Sequence, residues 1–199
     1  NYKDITGMRL RAGFPVVKIL DFLRKNSYPC VRVLSLPEAL CLGGKPFNKV
    51  HITMAAGSGC IDFLSQLPNP QILDFIQSYT KSRVEFNQIT KEIEPAAQLT
   101  VNGRRVMLYT GIGDHQCAVY GAGNTLDTLS VNIGTGSQVT AVCTQASATA
   151  DTERRHFLHG LQMQTITHIP AGRVLAAWIA FYESISGRTD GWDCFASAG

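Results

Sequence analysis

No apolar run in these 199 residues approaches the roughly 20 residues that a helix needs to cross a bilayer. The amino end, NYKDITGMRLRAG, has no apolar core of the kind that directs secretion, so a cytoplasmic protein with no membrane partner is expected. Charge is sparse too, at 17% of residues with a formal net charge of +3. The basic residues are scattered, apart from pairs such as Arg104-Arg105 and Arg154-Arg155. Without a basic stripe or a recognisable module, a nucleic-acid partner is not expected. The cysteines at 30, 41, 60, 117, 143 and 194 form no C-x-x-C pair, which excludes a zinc ribbon and a thioredoxin motif. The chain also lacks G-x-x-x-x-G-K-S/T and G-x-G-x-x-G, so neither a Walker-type nucleotide loop nor a Rossmann dinucleotide site is supported.

What is present suits a packed globular chain. Hydrophobic residues make up 45%, too many for disorder. In FPVVKILDFLRKN, Val16, Ile19, Leu20 and Leu23 share a helical face, and Pro15 suits the first turn. CVRVLSLPEAL reads as a short strand followed by a turn or helix. In LPNPQILDFIQSYT, Asn69 can cap a helix, Pro70 fits its first turn, and Ile72, Ile76 and Tyr79 share a face. The six cysteines sit mostly in apolar surroundings and read as buried, reduced thiols. Cys117, at a helix start, reads as buried and inert.

The pattern changes near Glu94. Two extended runs flank Val101-Asn102-Gly103-Arg104, and Asn-Gly is the strongest short hairpin signal. RRVMLYTG reads as a buried strand. TLSVNIGTGSQVTAVCTQ is a strand, a glycine turn and a strand, and LQMQTITHI is a further strand. AGRVLAAWIAFYESISG is a helix with Val174, Trp178, Phe181 and Ile185 on one face and Gly187 as its stop. Trp178 is then most simply core, whereas Trp192, near the carboxyl end, is expected on the surface. His156 and His159 form an H-x-x-H pair. With no third ligand evident, no metal site is expected.

Two stretches could carry chemistry. In TGIGDHQCAVYGAG, glycines turn the backbone at the end of a strand, and Asp114 opens a short helix. Ligands bind beyond the carboxyl ends of strands in open α/β folds, and a helix N-terminus favours an ionised carboxylate. An ionised acid there can accept a proton from a substrate hydroxyl. The plainer alternative is an N-cap, a position at which Asp is among the preferred residues. In SVNIGTGSQV, a Gly134-Thr135-Gly136 turn between strands can present backbone N–H groups to a phosphate, or can be an ordinary hairpin turn.

Taken together, GIGDHQCAVYGAG followed by NIGTGSQVTAV resembles the FGGY family of carbohydrate kinases. TGMRLRAGFPVVKILDFL, LSLPEALCLGG, HITMAAGSGCIDF and IPAGRVLAAW are similar to further family segments, so the resemblance runs over most of the chain. It implies an α/β chain with the actin/hexokinase-type (ribonuclease H-like) ATPase fold, incomplete, with parts of two lobes. Residues 1–98 would be the back of the amino-terminal, sugar-binding lobe, and residues 99–199 the front of the carboxyl-terminal, ATP-binding lobe. The implied activity is transfer of the γ-phosphoryl group of ATP, with Mg²⁺, to a sugar hydroxyl, and DHQC leans towards a ketose such as sedoheptulose or xylulose. Asp114 would be the general base and a substrate contact, and His115 a further sugar contact. Gly134, Thr135, Gly136 and Gly172 would face the ATP phosphates.

The departures are part of this reading. Where the family has two small residues, this chain has Gly172 followed by Arg173. The family's first phosphate loop, Asp-x-Gly-Thr, and its later Gly-Gly adenosine motif are absent. Phosphoryl transfer draws on all of these parts, so the 199-residue chain is expected to have little kinase activity alone. A catalytically inactive remnant that binds sugar or a partner is the alternative. A third reading is an unrelated α/β protein in which Asp114 only caps a helix. An incomplete lobe would expose apolar surface and favour self-association.

Overall fold

The computed structural model describes residues 1–126, 128–134 and 136–197. Thr135, one of the expected phosphate contacts, therefore lies outside the described residues. The first part of the chain is helical, with short extended pieces. It runs α1 (Tyr2–Thr6), α2 (Pro15–Lys25), β1 (Cys30–Arg32), α3 (Leu36–Cys41), β2 (Lys45–Pro46), β3 (Lys49–His51), α4 (Ile52–Gly57), α5 (Pro70–Thr80), β4 (Arg83–Glu85) and β5 (Gln88–Thr90). Two short parallel pairs, β1 with β4 and β3 with β5, tie these helices together.

The local signals in this part act as expected. Pro15 opens α2, and Val16 and Leu23 face inward at 4% and 2% exposure. The Asn69 side chain accepts the Ile72 N–H at 3.1 Å and caps α5. Val16, Leu23, Cys60, Ile76 and Val84 form one buried cluster, with Ile19, Leu20 and Ile72 packed against it. Tyr79 departs from the expected face. It is 61% exposed and stacks on Phe75 at 6.1 Å, outside the core. At 100° per residue Tyr79 lies only about 20° from Ile72 around the helix, so its exposure comes from its place in the last turn of α5, beyond the cluster, and not from its angle.

The second part is sheet-rich. It comprises β6 (Pro95–Val101), β7 (Arg104–Tyr109), α6 (Asp114–Gly121), β8 (Leu129–Ile133), β9 (Gly136–Cys143), β10 (Glu153–His156), a 3₁₀ turn (Leu158–Gly160), β11 (Gln162–Pro170), α7 (Gly172–Ser186) and α8 (Gly191–Ser197). The β6–β7 hairpin closes through Asn102 and Gly103, both with positive φ (50° and 75°), as a type I′ turn requires. Strands β10, β11, β9 and β8 lie side by side in that order, each pair antiparallel. Val119 of α6 packs on this sheet with Val142, Phe157, Leu158 and Met163.

Three expectations of burial are corrected. Strand β7 is not buried: Val106, Met107 and Tyr109 are exposed, because β7 is the edge of a three-stranded sheet ordered β2-β6-β7. The buried side chains there belong to β6, at Ala96 and Ala97. Trp178 is not core. The face of α7 that carries Val174, Trp178, Phe181 and Ile185 is exposed, with Trp178 at 64%, and α7 buries Ile179 instead. Periodicity shows that a helix has an apolar face, not that this chain covers it. Trp192 is exposed, as expected. The cysteines are all free, but only Cys41 and Cys60 are buried, and Cys117 is exposed. Cys117 lies on the side of α6 opposite the buried Val119, two residues and about 200° on. No helix is long and apolar enough to cross a membrane among the described residues.

Candidate active site

The turn before α6 is built by crowding. An added Cβ on Gly111 would lie 2.5 Å from the ring of Pro37, and one on Gly113 would run into the amide of Gln116. Neither glycine has positive φ, so space is what requires them. The Gly113 N–H donates to Thr53 Oγ1 at 3.1 Å. Thr53 in turn bonds His51 Nδ1 at 2.8 Å, so α4 fixes the turn from the other part of the chain. Gly113, not Asp114, is the N-cap residue of α6. The reading of Asp114 as an ordinary cap is thereby corrected.

Asp114 is the first residue of α6. Its neighbours His115 and Gln116 are buried while Asp114 itself is exposed. Its carboxylate accepts the His115 N–H at 2.7 Å and keeps its remaining acceptor positions for other donors. Asp114 lies on the wall of a cleft of about 740 Å³, with Thr53, Gln116, Arg154, Arg155 and His156 among the other wall residues. The ring of Phe63, also on the wall, lies 4.6 Å from the His156 ring and 4.6 Å from the Arg154 guanidinium.

The polar groups behind the wall form one chain. Glu153, with a side chain only 3% exposed, accepts from Arg11 at 3.0 Å and from Arg155 at 2.9 Å. Arg155 reaches His115 Nδ1 at 3.0 Å, and His115 Nε2 lies 3.0 Å from Thr140 Oγ1 on β9. Both ring nitrogens of His115 are thus engaged inside the protein. Burial, together with the Arg155 charge, pushes the His115 imidazole down to about 4, against the opposing pull of Asp114. His156 is also pushed down to about 4, chiefly by burial and then by His51, Lys91 and Arg154. His156 Nε2 and Arg155 Nε are buried without hydrogen-bond partners among the described residues. His159, in the 3₁₀ turn, has a left-handed backbone with φ 55°. Among the described residues no group of three His, Cys, Asp or Glu could hold a metal ion.

Of the expected phosphate residues, Gly134 and Gly172 meet each other, and neither they nor Gly136 is among the described wall residues of this cleft. The Gly172 N–H, at the start of α7, donates to Gly134 O at 3.0 Å, and Pro170 pairs with Gly136 across β11 and β9. The described walls of the Asp114 cleft include none of Gly134, Gly136 and Gly172. Strand β9 links the two places: Gly136 starts it and Thr140, the partner of His115, lies four residues on, about 13 Å at 3.3 Å per residue. Nothing described within 4 Å would meet a Cβ on Gly136. Among the described residues, no neighbour requires glycine at 136.

Sequence reasoning singled out Asp114, His115 and the glycines. It missed Thr53, Gln116, Thr140, Glu153 and the role of Arg155. Only Arg155 had a local mark, the basic pair with Arg154, and that mark carries no information on partners 40 residues away.

No family model matches the sequence, and no curated protein matches it in sequence. Solved structures match the fold. The chain superposes on a xyloylose (xylulose) kinase from Brucella ovis with a TM-score of 0.76 at 18% identity, covering 100% of this chain and 42% of the other. The xylulose kinase of Rhodospirillum rubrum gives 0.74 at 14% identity, covering 96% and 41%. Plasmodium falciparum glycerol kinase with ADP gives 0.71 at 12% identity, covering 92% and 40%. The chain thus has the mixed α/β, actin/hexokinase-like fold of these kinases over part of its extent, and spans about 40% of their length.

Proposed function

We propose that the chain is part of an ATP-dependent carbohydrate kinase of the FGGY type, acting on a ketose such as sedoheptulose or xylulose. The observation that carries this reading is the exposed carboxylate of Asp114 at the first position of α6, on the wall of a large cleft. The fold shared with sugar kinases supports it. Asp114 accepts the proton of the attacking sugar hydroxyl and orients that oxygen. A weak carboxylate base suffices, because in a loose phosphoryl-transfer transition state charge builds on the phosphoryl oxygens rather than on the nucleophile. Thr53 and Gly113 hold the turn that aims Asp114, and His115 meets the sugar with its ring face, since both its nitrogens are engaged elsewhere.

ATP supplies the phosphoryl group. The edge formed by Gly134, Gly136 and Gly172 is proposed to receive its phosphates, and the absence of a Cβ clash at Gly136 fits a close backbone approach. Among the described residues no group of three His, Cys, Asp or Glu could hold a metal ion, so Mg²⁺ would be held chiefly by the ATP phosphates and water. Residues 1–98 are assigned to the sugar-binding lobe and 99–199 to the nucleotide-binding lobe.

Calorimetry of the 199-residue chain against ketoses, polyols and MgATP tests the reading, together with sugar-dependent ADP release. Ketose binding that weakens at least about tenfold, or about 1.4 kcal/mol, in Asp114→Ala supports it. Loss of ADP release in Asp114→Asn with an unchanged melting temperature assigns the base. No sugar binding by the wild type, or an Asn variant that keeps its rate, overturns it. Because the chain spans about 40% of the kinases it matches, a remnant that binds sugar without turnover is the second reading. Sugar binding with no MgATP binding favours it.

A further inference from the structure

The hydrogen bonds behind Asp114 have a direction that elementary chemistry fixes. A guanidinium donates and never accepts. Arg155 Nη1 lies 3.0 Å from His115 Nδ1, so Nδ1 is the acceptor and carries no proton. The single proton of the neutral ring is then on Nε2, and it donates to Thr140 Oγ1 at 3.0 Å. That leaves the Thr140 hydroxyl proton to donate to Thr165 Oγ1 at 3.2 Å. At the far end, Glu153 holds Arg155 through Nη2 at 2.9 Å and is itself held by Arg11.

The charged groups around His115 are few. Among the described residues, Asp114 precedes it on α6, Arg155 faces it from β10, and β9 and β11 contribute the hydroxyls of Thr140 and Thr165. Arg155 occupies this position with its Nε–H buried and without a partner among the described residues.

We propose that Arg155 is a positioning residue that keeps Asp114 free: by donating to His115 Nδ1 it denies the imidazole a second proton, so no imidazolium forms beside the carboxylate. An imidazolium there would pair with Asp114, draw it from the sugar hydroxyl and weaken it as a base. The inference rests on the reading of Asp114 as the base. Its physical core, the state of His115, does not depend on that reading.

Long-range ¹H–¹⁵N correlation spectra of the ¹⁵N-labelled 199-residue chain read the His115 tautomer directly, with His115→Gln for assignment. In the wild type, Nδ1 should show the shift of an unprotonated nitrogen and Nε2 that of a protonated one, with no titration between pH 7 and 5. Arg155→Met should mix the tautomers and raise the proton affinity of His115 at least about threefold, a rise of about half a pH unit. Arg155→Lys, which keeps a charged donor, should restore the wild-type state. Should Arg155→Met fail to fold, Arg155→Gln serves. Its amide keeps the donor without the charge, so the tautomer should persist while proton affinity rises. A wild-type His115 with its proton on Nδ1, or an Arg155 substitution that folds and changes neither tautomer nor affinity, overturns the proposal. These spectra need neither sugar nor nucleotide. A failed Asp114→Asn test would leave them standing, and a wrong tautomer would leave the base assignment standing.

Discussion

The turn that presents Asp114 can be tested by adding a single methyl group. Gly113 has φ −60° and ψ 143°, a conformation that alanine adopts without strain. Its added Cβ would meet the side-chain amide of Gln116. That amide is not free to move aside, because Gln116 is 6% exposed and donates to His156 O at 2.9 Å. Gly113→Ala should therefore push the amide off its partner and leave a buried polar group unpaired, at a cost of about 1–3 kcal/mol. For a chain of this size, a central value of about 2 kcal/mol corresponds to a melting temperature lowered by about 4–8 °C. In a Gln116→Ala background the obstacle is gone. There Gly113→Ala should be neutral or stabilising by about 0.4–1 kcal/mol, since alanine restricts the unfolded chain. Urea unfolding of the four chains in this cycle measures the difference. Equal costs in both backgrounds, or no cost in the wild-type background, would refute the argument that Gln116 makes position 113 a glycine.

Two further predictions concern stability. Glu153→Ala leaves Arg11 and Arg155, with side chains 27% and 22% exposed, without their shared carboxylate. Breaking a buried ion pair on one side costs about 3–5 kcal/mol, and partial exposure of the arginines places this one near about 3 kcal/mol. A loss under about 1 kcal/mol in urea unfolding would show the group to be solvent-screened. His115 and His156 are both held near 4, below the ordinary 6.5. Between those limits the unfolded chain binds more protons than the folded one, so stability falls as pH drops from about 6.5 towards 4. Each imidazole contributes up to about 1.4 kcal/mol per pH unit. The urea midpoint should drop clearly from pH 7 to pH 5, and His156→Phe, which preserves a ring against Phe63, should reduce that drop. A pH-independent midpoint in the wild type would count against buried, neutral histidines.

The features legible in the sequence are those with local causes. Pro15, Asn69, the Asn102-Gly103 pair and Gly187 each set backbone geometry through their own chemistry, and each marks an element boundary in the structure. Asp114 was legible as the opening residue of a helix for the same reason. What surrounds it was not, because Thr53, Arg155 and Thr140 reach the turn across 60, 40 and 25 residues. Apolar patterning misled at β7 and α7. Val106, Met107 and Trp178 have the residue types of a core, but whether such a face is covered depends on what lies beside it, which local sequence does not encode.

Strand β9 has a consequence for how this protein can change over time. It is paired on both sides, and it spaces the glycine edge at Gly136 from the Thr140 that anchors His115. Insertion or deletion of one residue between them would turn Thr140 to the opposite face of the sheet and uncouple it from the imidazole. A two-residue change would restore the face but shift the spacing by about 7 Å. Length variation should therefore accumulate in the loops around residues 144–152 and 187–190, while the four-residue interval inside β9 stays fixed in any lineage that still uses the cleft.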